Sequence, residues 1–363
     1  MTRPATPAYG PYLRIDELLS CQRPPAFEKG HTVGEYRDLI HHDEMLFIII
    51  HQAYELWFKQ LLHDLSLARD LLGQPDRAES ERKVAEEQVP QITELLGRCN
   101  EILRLLTDQF TVLETLPTTH FLAFRDQLLP ASGFQSVQFR EFEILGGLKD
   151  EDRIQGIGTD YERLLSETEL ARLERRRSEM TLKEAAFAWL ARTPVDKIFP
   201  NFSKVFQDAY AGYHADMEAF HASNPNLGEE ARKAASQRLA ADRERLRAYL
   251  EDHDPANCRA HEAFLLITSY RGQSLLRWPY TLLDSIIEFE SRVRLFRARH
   301  VRAVERIIGA RVGTGGSAGV DYLDAVARQY KIFGDLLEGR THILDPGRLP
   351  PIPDSTILSF REL

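Results

Sequence analysis

From Met45 to Ile50 the chain runs six apolar residues without a break, and between Met45 and Phe58 only His51, Gln52 and Glu55 are clearly polar. That density predicts a helix buried on nearly every side, starting near His42 and continuing to about Leu72, where Gly73-Gln74-Pro75 makes a turn. At 3.6 residues per turn Phe47, His51 and Glu55 share one face, so an imidazole is set beside an aromatic ring where water reaches poorly. Such a histidine is either a satisfied core hydrogen-bonder or a working group, and this segment alone leaves both open.

The same pattern organises the rest of the chain. Val84, Ile92, Leu95, Leu96, Ile102, Leu103, Leu106, Phe110 and Leu113 recur at helical spacing, with Pro90 as a candidate kink. Leu116-Pro117-Thr118 ends that run and opens a shorter helix holding Phe121 to Leu129, closed by Pro130-Ala131-Ser132-Gly133-Phe134. Within it Arg125 lies among aromatic and aliphatic neighbours, so its guanidinium either pairs with Asp126 or another internal carboxylate, or receives an anion from outside.

Residues 150 to 262 read as successive amphipathic helices with breaks at Gly156 to Gly158, Pro194, Pro200, Pro225 and Pro255. Glu229 to Glu251, rich in Arg, Glu and Ala, reads as a largely solvated helix. His214, His221 and His253 show no ligand spacing there. Period-two alternation does not line up into a sheet anywhere, so the fold class is all-α.

A further helix is written from Ser285 to Gly309, with Ile286, Phe289, Val293, Phe296, His300, Val304 and Ile307 on one stripe. His300 therefore occupies a core position. Arg292, Arg294, Arg297, Arg299, Arg302 and Arg306 cover the other faces, either as a solvated surface paired with Glu288, Glu290 and Glu305 or as fixed charge for an anionic ligand edge such as haem propionates. Gly313-Thr314-Gly315-Gly316-Ser317-Ala318-Gly319 follows. It has neither a preceding strand nor a closing Lys-Ser/Thr pair, which excludes a phosphate-binding P-loop, and leaves a loop that folds over a substrate or merely connects two helices.

Composition narrows the function. Against 46 basic residues stand 55 acidic ones, a net charge of -9, which argues against a nucleic-acid partner because phosphate binding wants a basic excess. Cys21, Cys99 and Cys258 are few, odd in number and far apart, so they offer neither a disulfide framework nor a zinc site and suit a reducing cytoplasm. No apolar leader and no stretch of about 18 apolar residues appears, which implies no membrane partner. Two interior histidines on separate helices, with no third ligand at metal spacing, suit a planar cofactor held by one axial imidazole better than tetrahedral zinc. Because Cys-x-x-Cys-His is absent, a haem here is expected to bind noncovalently.

Three separated motifs then resemble the tryptophan 2,3-dioxygenase family. They are His42-Asp43-Glu44-Met45-Leu46-Phe47-Ile48-Ile49 with His51-Gln52 and Glu55-Leu56-Trp57, Phe124-Arg125-Asp126 with Ser132-Gly133-Phe134-Gln135-Ser136, and Arg299-His300 with Gly313-Thr314-Gly315-Gly316-Ser317. The resemblance covers about residues 8 to 150 and 259 to 335. It implies a helical-bundle haem protein with additional helices inserted in the middle of the chain, at about 150–258. An N-terminal arm (1–34) docks on a neighbouring subunit, and 35–363 form a single catalytic domain.

The implied activity is opening of the indole ring of L-tryptophan by O2 to N-formylkynurenine, the first step of the kynurenine pathway. Noncovalent haem b, ferrous in the active form, is the implied cofactor, and a cytoplasmic homotetramer the implied assembly. Residue by residue, His300 is similar to the axial iron ligand, with Ser132 beside the cofactor, and His51 to the catalytic group that accepts the indole N–H. Arg125 resembles the carboxylate clamp, and Thr314 the contact to the amino acid's polar end. Phe47 and Leu128 resemble pocket walls, while Tyr9, Tyr12 and Leu13 resemble an arm reaching into a neighbour's site; without the resemblance that Pro-bounded stretch reads rather as a frayed end. Ile50 beside His51 and Phe296 four residues before His300 depart from residues common in the family, at the haem surround. The alternatives are a haem monooxygenase of a tryptophan derivative and a non-catalytic haem sensor.

Overall fold

The computed structural model describes residues 8–24, 42–84, 87–128, 133–154, 160–311 and 319–358. Among them there is no β-strand, as the patterning requires. Two short helices, α1 (Tyr9–Leu13) and α2 (Ile15–Leu19), precede the long α3 (Glu44–Gly73), followed by α4 (Gln88–Leu113), α5 (Thr118–Arg125) and α6 (Val137–Gly146). Then come α7 (Glu167–Arg177), α8 (Leu182–Ala191), α9 (Val195–Ile198), α10 (Phe202–Ser223), α11 (Glu229–Leu250) and α12 (Pro255–Ser269). The last three are α13 (Arg277–Ile308), α14 (Val320–Gln329) and α15 (Gly334–Thr341).

The bundle is built on α3, α4 and α13. Helix α4 packs against both of the others, α6 and α8 pack on α3, and α8 also packs on α12. Leu61, Leu65, Ala68 and Leu72 of α3 are wholly buried, as are Ile92, Leu96 and Leu106 of α4 and Ile286 and Phe289 of α13. Burying each large side chain contributes about 1.5–3 kcal/mol, which adds to the good helix propensity of the Leu and Ala residues of α3. Register between the antiparallel α3 and α4 is fixed by polar contacts inside the seam: the Tyr54 hydroxyl donates to the Leu106 carbonyl at 3.0 Å, and the Gln109 amide to the Ile50 carbonyl at 3.4 Å. At its far end α3 stops where Gln74 turns left-handed (φ 46°), and Gly73 has no room for a Cβ because Met180 Sδ fills that space.

Three expectations change. Pro90 does not kink α4, since the helix begins at Gln88 and a first-turn proline lacks only an N–H that would have had no partner. Helix α13 starts eight residues before Ser285, at Arg277, because Arg277 to Asp284 continue the same buried stripe through Leu282 and Leu283. And α3 is not covered on nearly every side. Ile49 and Leu56 are 48% and 52% exposed; the register puts them about level with Val112 and Leu105 of α4, themselves 47% and 41% exposed. An apolar run this long outgrows the face that one bundle can cover.

The middle of the chain is helical between the predicted breaks, with Pro194, Pro200 and Pro225 in the connections and Pro255 at the first position of α12. Only Leu239, Leu246, Tyr249 and Leu250 of α11 are buried, in keeping with a solvated helix. The breaks at 156–158 lie outside the described residues.

One buried ionic node ties α6, α13 and the segment after α6 together. Glu143 accepts from Arg140, Arg153 and Arg297, each at 2.9 Å, and Arg297 also donates to the Tyr330 carbonyl at 3.1 Å. Burial alone would raise the Glu143 carboxyl, but the three guanidiniums outweigh it and hold it at about 2. Its stabilising contribution is therefore present above the ordinary carboxylate range and is lost only as pH falls towards 2. Glu143→Ala should leave three buried cations without their shared anion and cost about 3–5 kcal/mol. Urea unfolding reads this, and a midpoint equal to wild type would mean the node carries no net stability.

Candidate active site

The two histidine helices bring their imidazoles to one aromatic enclosure. On α3, Phe47 and His51 lie with ring centroids 4.0 Å apart, tilted by 35°, and Phe47 packs on Phe121 and Phe124 of α5 at 5.8 and 5.7 Å. On α13, His300 lies 5.7 Å from the Phe110 ring and 6.5 Å from Phe296. Phe296 in turn meets Tyr54, Phe58, Phe110 and Phe139 within 6.2 Å, so four helices contribute rings to the same wall. Aromatic contacts of this kind keep water out and fix ring positions together.

Both imidazoles are neutral at physiological pH. His300 is pushed down to about 4, by burial first and then by the proximity of His51. That mutual influence means the two rings are near enough for a charge on one to be felt at the other. His51 is also lowered by burial, against the opposing pull of the Phe47 carbonyl and the Glu55 charge. His51 is nevertheless exposed and His300 partly so, which corrects the expectation that water reaches His51 poorly.

The His51 tautomer follows from its bond. Nδ1 lies 2.7 Å from the Phe47 carbonyl oxygen, an acceptor only, so Nδ1 carries the proton and Nε2 presents a lone pair. One turn on, Glu55 is clamped: the Ser136 hydroxyl donates to one carboxylate oxygen at 2.5 Å, and the Gln138 amide donates to the other and to the Glu55 carbonyl, each at 2.8 Å. Ser136 also caps α6 by accepting from the Phe139 N–H. Sequence reasoning missed this clamp, because residues about 80 positions apart share no local spacing; Ser136 as a helix cap was the one signal available.

Arg125 ends α5 and is half-buried beside Phe124, with protein contacts of its own. Leu128 follows in a 3-10 turn, packed on the core. Tyr9, Tyr12 and Leu13 form α1 and stand 77%, 72% and 44% exposed, while the following segment is tied to α3 through Gln22 and Gln52, bonded at 2.6 Å. Ser132 and Thr314 lie outside the described residues. The arginines of α13 are mostly paired: Arg292 with Glu288 at 2.6 Å, Arg299 with Glu114 at 2.9 Å, and Arg302 with Glu305 at 2.7 Å. Glu290 takes no arginine; it accepts from the Ile332 and Phe333 N–H groups at 2.9 and 3.0 Å.

The donor set fits a planar macrocycle. No described residue hydrogen-bonds the His300 ring, and no cluster of three or more His, Cys, Asp or Glu among the described residues could cage a bare metal ion. A neutral imidazole without a hydrogen-bond partner among the described residues, set against aromatic rings, is available to hold a haem iron. His261, the other histidine of a buried helix, is committed elsewhere, with Nδ1 2.6 Å from the Tyr249 carbonyl and its ring stacked on Tyr249 at 3.9 Å.

The neutral His300 sets a pH dependence. Unfolded, it takes a proton near 6.5; folded, only near 4, so the unfolded state gains protons first as pH falls. Stability of the cofactor-free chain should drop by up to about 3 kcal/mol between these limits and level off below. His300→Leu should flatten part of that slope in denaturant titrations run across the range, and an unchanged slope would show that His300 is not held neutral.

Comparison with known proteins agrees with this geometry. A family model described as tryptophan 2,3-dioxygenase matches residues 2–343. "Tryptophan 2,3-dioxygenase 2" of Ralstonia nicotianae is 37% identical, covering 98% of each chain. The tryptophan 2,3-dioxygenases of Sorangium cellulosum and Dictyostelium discoideum are 36% and 33% identical over 97% and 95% of this chain and 87% and 86% of their own. This chain belongs to the tryptophan 2,3-dioxygenase family.

Proposed function

We infer that the protein is a haem-dependent dioxygenase that cleaves the indole ring of L-tryptophan with O2 to give N-formylkynurenine, the entry to tryptophan catabolism by the kynurenine pathway. The observation that carries this reading is a pair of neutral imidazoles on separate helices, near enough to influence one another: His300 has no hydrogen-bond partner among the described residues, and His51 keeps one lone pair free. Haem b, bound noncovalently and ferrous when active, supplies the oxygen chemistry. His300 would hold its iron, and the family resemblance assigns Ser132 to the cofactor as well.

The chain's own groups bind and orient the substrate. His51 Nε2 accepts the indole N–H, and because its tautomer is set by the Phe47 carbonyl it does so without reorganisation. Arg125 meets the carboxylate with its planar fork, and Thr314 contacts the polar end of the amino acid. Phe47 and Leu128 wall the indole ring and exclude water. A site built to receive an N–H penalises ligands that lack one, so selectivity and orientation come from the same contact.

Assembly as a homotetramer is supported by two exposed apolar features that a lone chain leaves in water: the Ile49, Leu56, Leu105 and Val112 ladder across α3 and α4, and the α1 arm. We assign residues 1–34 to an arm completing a neighbour's pocket and 35–363 to the catalytic domain. Three free cysteines support a reducing, cytoplasmic setting.

The deciding experiment is the product mass from reduced, haem-loaded protein and L-tryptophan in air. Two added oxygen atoms are expected; one would indicate a monooxygenase, and no product a sensor. In the same assay Arg125→Leu should lower kcat/KM for tryptophan by roughly 30-fold or more, while haem content stays near wild type. Tryptamine lacks the carboxylate, so an equal loss with tryptamine would refute the clamp. Deleting residues 1–14 should raise the KM for tryptophan and loosen the assembly, whereas unchanged KM and solution mass would remove the arm from the site.

A further inference from the structure

Glu55 stands one turn after His51 on α3, half-buried, and the proposed reaction gives it no role. Its two carboxylate oxygens accept from the Ser136 hydroxyl and the Gln138 amide, and its backbone carbonyl accepts from the same amide. Both partners belong to the start of α6, so one residue joins that helix end to α3 by three hydrogen bonds. Ser136 passes the contact on, since its oxygen accepts from the Phe139 N–H at 3.2 Å. The Phe139 ring lies 5.9 Å from Phe296, which lies 6.5 Å from His300. A short path of bonds and ring contacts therefore runs from the His51 helix to the surroundings of His300. Its apolar part does not set the register by itself. Ring contacts such as Phe58 with Phe139, 5.4 Å apart, tolerate sliding and tilting, whereas hydrogen bonds weaken steeply away from their preferred geometry.

We propose that Glu55 is a positioning residue for tryptophan cleavage, holding α6 and the rings beside His300 in register with the helix that carries His51. The inference rests on the proposed reaction and deepens it. The groups assigned to the substrate, Phe47, His51 and Arg125, lie on α3 and α5, whereas the clamp governs where the start of α6 sits. Releasing it should therefore spare substrate binding and displace the His300 side relative to the bound indole. A misplacement of about 1 Å costs up to about 10²-fold in rate, so the loss falls on kcat and not on KM.

The test measures kcat, KM and the iron–histidine stretching band in the resonance Raman spectrum of the ferrous, haem-loaded full chain, for Glu55→Ala, Glu55→Gln and Gln138→Leu. Glu55→Ala should lower kcat by about 10-fold or more with little change in KM, and should shift or broaden the band. Glu55→Gln should restore both in large part, since its amide can donate to the Ser136 oxygen and accept from Gln138. Gln138→Leu removes two of the three bonds and leaves Glu55 in place, so it should show the same split more weakly, and it carries the test should Glu55→Ala fail to fold. Wild-type kcat and an unshifted band in the folded variants would overturn the proposal. So would a joint loss of haem content and substrate affinity that Glu55→Gln does not restore, which would leave Glu55 a structural residue only. A wild-type protein that does not turn over tryptophan would instead remove the proposed reaction, and the band with its recovery in Glu55→Gln would still decide the clamp.

Discussion

The site depends on keeping two imidazoles uncharged near one another. A cation at His300 would meet phenylalanine rings that cannot solvate it and a neighbouring imidazole, and burial works against the charged form of His51 as well. The architecture follows from that need. Both histidines sit on the longest helices, α3 and α13, and both helices pack on α4. The rings of the aromatic enclosure come from α3, α4, α6 and α13, so no short segment could be reshaped without disturbing the others. Neutrality is thereby a property of the whole bundle.

Charge is handled differently one turn away on α13, at Arg297. There Glu143 is buried with three arginines, a cluster that ionises fully because opposite charges replace the lost water. Arg297 and His300 are three residues apart on one helix face and yet meet different partners: Arg297 is bonded to Glu143 and to the Tyr330 carbonyl, whereas the His300 ring lies against Phe110 and Phe296.

Much of this was legible beforehand, and the reasons differ by residue. His51 and His300 could be found because each interrupts an apolar stripe at helical spacing, and because the motifs around them resemble those of the dioxygenase family. The limits of α3 were readable from Gly73-Gln74-Pro75, whose conformational preferences are local. The Glu143 node was not readable, for it joins residues 143, 153 and 297, and nothing in an isolated strand of letters says which arginine finds which glutamate. Glu290 shows the same limit: it stands beside arginines in sequence yet spends both hydrogen bonds on backbone N–H groups some 40 residues away. The exposure of Ile49 and Leu56 was misjudged because hydropathy reports that a face seeks cover, not which molecule provides it.

Helix α3 is an unbroken rod of 30 residues, about 45 Å long. His51 stands in its second turn, Glu55 is pinned to α6 one turn later, and Arg69 near its end is bonded to Glu179 and the Met180 carbonyl at the start of α8. A rod held at several points cannot bend in its middle at low cost, so it moves as one body. Rotation about its axis by a few degrees at the Arg69 end would swing the His51 ring through a comparable angle. The distance between a distant surface and the chemistry is then mechanical rather than spatial.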